Sequence, residues 1–195
     1  KPEGGFSFNL SLDAPGWYWF DFLRTSRYES ERDKRVLQCP SKLQTSKALD
    51  VGLLCGNYGV NRSLCPSSKD LKRYRESFGG PPMSSADIRS PGSTLLLVDS
   101  GYALICWWHA RNDPLIDFSG PFISDTAYIP GLSINKDRNL LPGQIDDAIG
   151  GRHSNKTVNV GFGDGHVDRE KADALLVEKV GEDQYPNRAP LWEPK

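Results

Sequence analysis

No apolar run in this chain is long enough to cross a bilayer: the nearest, Leu95 to Trp108, is interrupted by Asp99, Ser100 and Gly101. A basic block is missing as well. Lys and Arg number 24 against 25 Asp and Glu, for a formal charge of −1, and scattered pairs such as Lys72-Arg73 look like solvated surface. That balance excludes a phosphate-binding stripe, and no nucleic-acid partner is expected. Histidines are only three. With no Gly-x-Ser-x-Gly elbow, no His-Glu-x-x-His helix and no recognisable Cys/His pairing, hydrolysis has neither a nucleophile nor a base in view, and no enzyme activity is expected. The four cysteines match no Cys-x-x-Cys pattern, which ranks a zinc site below disulfides or free thiols.

What the chain does hold is a strongly patterned C-terminal third. Asp164-Gly165 separates two alternating runs and suits a two-residue type I′ hairpin turn, with Gly163 facing His166 and Phe162 facing Val167. That register puts Val158, Val160, Phe162 and Val167 on one apolar face, with Asn159, Gly161 and Asp168 on the other. Asp168 then caps a helix whose apolar residues Ala172, Leu175, Leu176 and Val180 fall at helical spacing before Gly181. Residues 157–180 are thus expected to form a hairpin plus a helix.

Upstream, Ser93 to Val98 and Tyr102 to Trp108 are the strongest strand candidates. A Ser100-Gly101 turn would pair Leu97 with Leu104 and Leu96 with Ile105 at the centre of a sheet. Trp17, Phe20 and Leu23 share a helical spacing, Val36 to Cys39 suggests a short strand, and Ser67 to Phe78 suggests a charged helix ended by Gly79-Gly80-Pro81-Pro82. Residues 112–150 are rich in Pro, Gly and Asp and weakly periodic, as in a variable loop region with at most short strands. The tail from Gln184, holding three prolines, is expected to be extended. At this length one globular domain over residues 1–195 suffices.

Several fragments line up in order: the aromatic cluster at Trp17 to Leu23, Cys39-Pro40-Ser41, Tyr58-Gly59-Val60-Asn61, Ser90 to Asp99, and Arg152-His153 running into Gly163-Asp164-Gly165-His166-Val167. In that order they resemble the prepilin-type cleavage and methylation proteins, or type II secretion pseudopilins, of planctomycetes, verrucomicrobia, lentisphaerae and their relatives. The family closes on a His, nine residues and Asp-Gly; here ten residues, Ser154 to Gly163, separate His153 from Asp164. The resemblance implies an α+β pilin-like globular domain, an antiparallel sheet with short helices, from which the N-terminal membrane helix is absent. It implies a structural subunit of a type II secretion or type IV pilus-like filament. Its partners would be other pilin-like subunits and, through the missing helix, the inner membrane. The precursor would sit in the cell envelope, facing the periplasm or exterior, and the isolated fragment would be monomeric.

Among side chains, His153, Asp164, Gly165 and His166 form the family motif. By analogy with pseudopilins whose C-terminal loop is braced by calcium, an oxygen-rich set from Asp146, Asp147, Asp164 and Asp168 is a candidate calcium site; otherwise no cofactor is expected. Asp164 already has a reason in the turn, Asp168 in the cap and His166 at the hairpin end, which leaves His153 without a local one. Cys39, Cys55 and Cys65 are candidates for a loop disulfide in an oxidising compartment, and Cys106, inside an apolar run, for a buried thiol. His109 is expected at the surface. Two rival functions stay open. One is a secreted carbohydrate- or ligand-binding module stacking sugars on Trp17, Trp19, Trp107, Trp108 and Trp192, although on a strand Trp107 and Trp108 would face opposite ways. The other is a metal-dependent hydrolase around His153, Asp164 and His166.

Overall fold

The computed structural model describes residues 39–41, 57–64, 83–112, 127–138, 140, 142–182 and 184–194. The aromatic cluster at 17–23, the strand proposed before Cys39, the 67–78 helix, Cys55 and Cys65 lie outside them. The described part is a five-stranded sheet with short helical turns, of the α+β class: β1 (Tyr58–Asn61), β2 (Leu95–Asp99), β3 (Leu104–Ile105), β4 (Thr157–Phe162) and β5 (Val167–Lys171), in the order β3-β1-β2-β4-β5. Every helical segment described is only three to five residues long, and none is long and apolar enough to cross a membrane.

β4 shows most directly how the pattern builds the fold. Its apolar residues fall at every second position, so Val158, Val160 and Phe162 all point into the core while Asn159 and Gly161 point away. β2 runs antiparallel to β4 and supplies Leu95 and Val98, both buried. Around them pack Ile105, Trp107, Ile129, Leu132, Ala172, Leu175, Val177 and Trp192.

The hairpin is real, but its bend is one residue longer than the Asp-Gly dipeptide suggests. The Phe162 N–H donates to the His166 carbonyl (2.9 Å) and the Gly165 N–H to the Phe162 carbonyl (3.0 Å), enclosing Gly163, Asp164 and Gly165. Only Gly165 takes a positive φ, +94°, so this is the three-residue loop that closes on a left-handed glycine rather than a type I′ pair. The pairing therefore slips by one: Val167 stands opposite Gly161 and Asp168 opposite Val160. A one-residue slip reverses faces, and Val167 is 71% exposed instead of joining the core.

Three further expectations are corrected. β2 and β3 do not form a hairpin; β1 lies between them, antiparallel to β2 and parallel to β3, so the sheet is mixed. The Val60 N–H donates to the Ala103 carbonyl and the Arg62 N–H to the Ile105 carbonyl, taking up bonds that a direct β2–β3 pairing would have used. The helix after Asp168 is instead strand β5 followed by a single 3-10 turn, Ala172–Leu175; Ala172 and Leu175 are buried as expected, but Val180 is 53% exposed. Asp168 spends its Oδ1 on the Arg169 N–H (2.7 Å), so it caps nothing. The tail is not extended. A 3-10 turn at Pro186–Arg188 turns it back so that Trp192 is fully buried.

Residues 127–138 and 142–150 contain no strand but are far from peripheral. Ala127, Tyr128, Ile129, Leu132 and Ala148 are buried, and Asn135 Nδ2 donates to the Ile129 and Ala148 carbonyls at 2.7 Å each, stitching the two segments together.

β1 passes so close to the chain after β2 that position 59 has no room for a side chain. A Cβ there would lie 2.7 Å from the Tyr102 carbonyl oxygen and 2.9 Å from the Ser100 side chain. Gly59→Ala is expected to cost about 1–3 kcal/mol through forced backbone shifts; a urea denaturation midpoint equal to that of the parent chain would contradict the close approach.

Candidate functional site: a buried polar cluster at the end of β2

Where β2 ends, the sheet turns from apolar to polar. Asp99 is fully buried, and strand pairing sets its surroundings: Tyr58 is its partner on β1, and Val98 pairs with Val160, which brings Asn159 alongside. The Asn159 N–H donates to Asp99 Oδ2 at 2.7 Å.

Next to Asp99 lies a second buried carboxylate, Asp147, at the N-terminal end of the one-turn π-helix Asp146–Gly150. Arg152 grips it with both arms of its guanidinium, Nε to Oδ1 at 3.0 Å and Nη2 to Oδ2 at 2.6 Å, the forked geometry that makes such pairs strong. The same guanidinium donates to the Asn57 carbonyl (2.6 Å) and the Ser100 carbonyl (3.2 Å), and Tyr128 Oη donates to Asp147 Oδ2 at 2.8 Å. Burial by itself would pull the Arg152 pKa down, but its hydrogen bonds and charge contact with Asp147 outweigh that and hold it above the ordinary arginine value. The Tyr128 hydroxyl is held well above the usual phenol range, by burial first and then by the Asp147 charge. Asp99 gets less from Arg152: its Oδ1 is 3.7 Å from Nη1 and has no hydrogen-bond donor.

His153 supplies the third side of the cluster. Its Nε2 lies 3.0 Å from Asp99 Oδ2, 3.0 Å from Asn159 Nδ2 and 3.9 Å from the Cys39 sulfur. The local reason that the sequence lacked for this histidine is a tertiary one, a carboxylate 54 residues upstream. Cys39 is a free, buried thiol, and the other members of the proposed loop disulfide, Cys55 and Cys65, lie outside the described residues; its N–H donates to Asn57 Oδ1 at 3.0 Å. Tyr58 hydrogen-bonds the Cys39 side chain, and burial, followed by the nearby Cys39 and Asp99, pushes its hydroxyl up to about 12, so it stays protonated. Three fragments distant in sequence, Cys39-Pro40-Ser41, the end of β2 and Arg152-His153, meet here.

This is not a catalytic triad. A Cys-His-Asp relay needs the thiol on one ring nitrogen and the carboxylate on the other, so that the proton can be handed across the ring. Here both address Nε2. What the three side chains offer together is a set of ligands: sulfur, nitrogen and oxygen atoms all within 4.8 Å of one another, the one such group among the described residues.

The side chains singled out from sequence are placed elsewhere. Asp146, Asp147, Asp164 and Asp168 are not brought together: Asp147 is committed to Arg152, Asp146 is exposed, and Asp164 and Asp168 sit on the hairpin. His166 does not approach His153. Its Nδ1 pairs with Asp164 Oδ1 at 2.6 Å and its ring stacks on Phe162, with centroids 4.3 Å apart. Hydrogen bonds from the His166 backbone and side chain hold the Asp164 carboxyl below its ordinary range. Trp107 and Trp108 lie on a 3-10 turn rather than a strand, with Trp107 buried and edge-on to Trp108, and Trp192 is inside the core; Trp17 and Trp19 lie outside the described residues.

His109 is also corrected. Its Nδ1 accepts the Cys106 N–H at 3.0 Å and lies 3.3 Å from the Cys106 sulfur, and burial, with Arg138 nearby, pushes its pKa down to about 3. Such an imidazole stays neutral in the fold although the unfolded chain would protonate it near the usual value of about 6.5. Unfolding therefore takes up a proton below that pH, and this histidine's contribution to stability is lost as pH falls from about 6.5 towards about 3. The expected NMR result is a His109 ring signal that stays flat between about pH 8 and about pH 5; an ordinary histidine titration there would contradict it.

Asp99, Asn57, Tyr58 and Cys39 were not recognised from sequence as one site. The usable signal was a carboxylate at the end of the apolar run Leu95 to Val98. Comparison with family models, with characterised proteins and with solved structures returns no match.

Proposed function

We propose that this chain is the globular head of a pseudopilin or pilin-like subunit, contributing to a type II secretion or type IV pilus-like filament in the cell envelope and performing no catalysis. The observation that carries the reading is the ordered set of fragments resembling that family. Its support is the task each described fragment performs. Tyr58 to Asn61 is an inner strand, with Asn61 Nδ2 donating to the Leu95 and Trp192 carbonyls at 2.9 Å each. Asp99, Arg152 and His153 tie loops to the sheet end, and Gly163 to His166 make the bend. Residues committed to holding a fold suit a subunit that works by assembling. An asymmetric head-to-tail contact that does not close generates an open fibre without any active site.

The partners in this reading are further copies or related pilin-like subunits, and the inner membrane through an N-terminal helix. The test uses the whole gene product in its own cell. Antibody against this domain should label the envelope fraction and sheared filaments, and mass spectrometry should find a processed, methylated N-terminus. A product confined to the cytosol with an unprocessed N-terminus overturns the proposal.

A further inference from the structure

We propose that Cys39, Asp99 and His153 bind one transition-metal cation of the zinc type, independently of any role in a filament. The first argument is charge. Two carboxylates, Asp99 and Asp147, are buried beside one guanidinium among the described residues, and Arg152 gives Asp147 two short bonds but approaches Asp99 only to 3.7 Å. A buried carboxylate left with so little compensation is costly. One dication together with the Asp99 carboxylate and a Cys39 thiolate sums to zero, and Arg152 with Asp147 sums to zero beside it. Binding moves one proton, from the Cys39 thiol to solvent.

The second argument is the bonding at His153 Nε2. A ring nitrogen presents either one N–H or one lone pair. Two groups stand 3.0 Å away: Asp99 Oδ2, which as a carboxylate only accepts, and the Asn159 amide nitrogen, which only donates. Both contacts cannot be hydrogen bonds at once. With Nε2 deprotonated, its one lone pair lies beside an oxygen lone pair of Asp99; a cation shared between the two takes that lone pair in place of the Asn159 hydrogen bond and turns the repulsion into coordination.

The third argument is geometry and donor type. From the usual zinc bond lengths, tetrahedral ligands lie roughly 3.4–3.6 Å apart. The observed N···O and S···N separations of 3.0 and 3.9 Å bracket that value, and all three donor atoms lie within 4.8 Å of one another, so a modest closing of the three side chains around one ion supplies three corners. Sulfur with imidazole and a single carboxylate favours zinc over the all-oxygen calcium. Outer contacts are already in place: the Asn159 N–H on Asp99 Oδ2 and the Tyr58 side chain on Cys39.

The test is metal titration of the reduced, chelator-stripped chain. Zinc competed against a chromophoric chelator should bind one ion per chain. Cobalt on the unaltered chain should give the thiolate charge-transfer band and the visible spectrum of a tetrahedral site. Cys39→Ser and His153→Gln should each weaken zinc at least about tenfold, whereas His166→Gln at the hairpin should leave it unchanged. No stoichiometric zinc, a cobalt spectrum without thiolate character, or affinity that survives Cys39→Ser overturns the proposal. So does an NMR tautomer assignment showing a proton on His153 Nε2 in excess zinc. The cobalt and NMR measurements need no variant, so a substitution that fails to fold does not shield the idea.

Discussion

Arg152→Met should cost about 3–5 kcal/mol of folding stability, because it leaves a buried carboxylate without its partner. The loss follows from what the guanidinium does: among the described residues it is the cation that pairs with Asp147, beside the neutral Tyr128 hydroxyl, and it also satisfies the carbonyls of Asn57 and Ser100. Arg152→Lys should recover little, since an ammonium cannot present two parallel N–H groups to one carboxylate and still reach those carbonyls. The double variant Arg152→Met, Asp147→Leu should be more stable than Arg152→Met alone, because Asp147 is no longer stranded and only Asp99 is left without the guanidinium. Urea denaturation of the three variants checks this. A loss below about 1 kcal/mol for Arg152→Met would place the network at the surface, where ion pairs contribute that little.

Trp192→Ala should be comparably severe, at about 3–5 kcal/mol, the usual range for emptying a large aromatic site in a core. Trp192 is fully exposed in no sense: its ring is buried, its Nε1 donates to the Leu175 carbonyl at 3.0 Å, and its own carbonyl accepts from Asn61 Nδ2 at 2.9 Å. Trp192→Phe should retain most of the apolar filling while giving up the Leu175 bond, and so lie between the two. Thermal unfolding followed by tryptophan fluorescence and by circular dichroism reads both. If Trp192→Ala unfolds with the parent chain, the tail is not docked as described.

The two sites that matter most were the least visible in the sequence. β4 was legible because alternation is local, and five consecutive positions from Val158 to Phe162 carry it unaided. The bend was legible in place but not in length, since Asp-Gly marks a turn of either two or three residues, and here Gly165 at a φ of +94° closes the longer one. β1 could not be seen between β2 and β3, because its pairings join segments more than thirty residues apart in sequence, Gly59 with Val98 and Val60 with Leu104. The false helix had a real basis: Ala172 and Leu175 are buried at the spacing expected, but a single 3-10 turn satisfies that spacing as well as a helix does. For the cluster, the analogy misled. Asp146, Asp147, Asp164 and Asp168 suggested an oxygen-rich calcium set by analogy with pseudopilins, yet the group that forms draws one residue from each of three distant segments.

The charges along β5 bear on how copies of this chain can meet. In an antiparallel pairing of two identical strands, residues of like parity stand opposite one another, since both must turn their backbone bonds inward or both outward. Along Val167-Asp168-Arg169-Glu170-Lys171, the even positions are acids and the last two odd positions are bases. Whatever the register, acids of this strand would face acids and bases would face bases or Val167, and no acid would meet a base. This edge of the described sheet is thereby set against antiparallel pairing with its own duplicate.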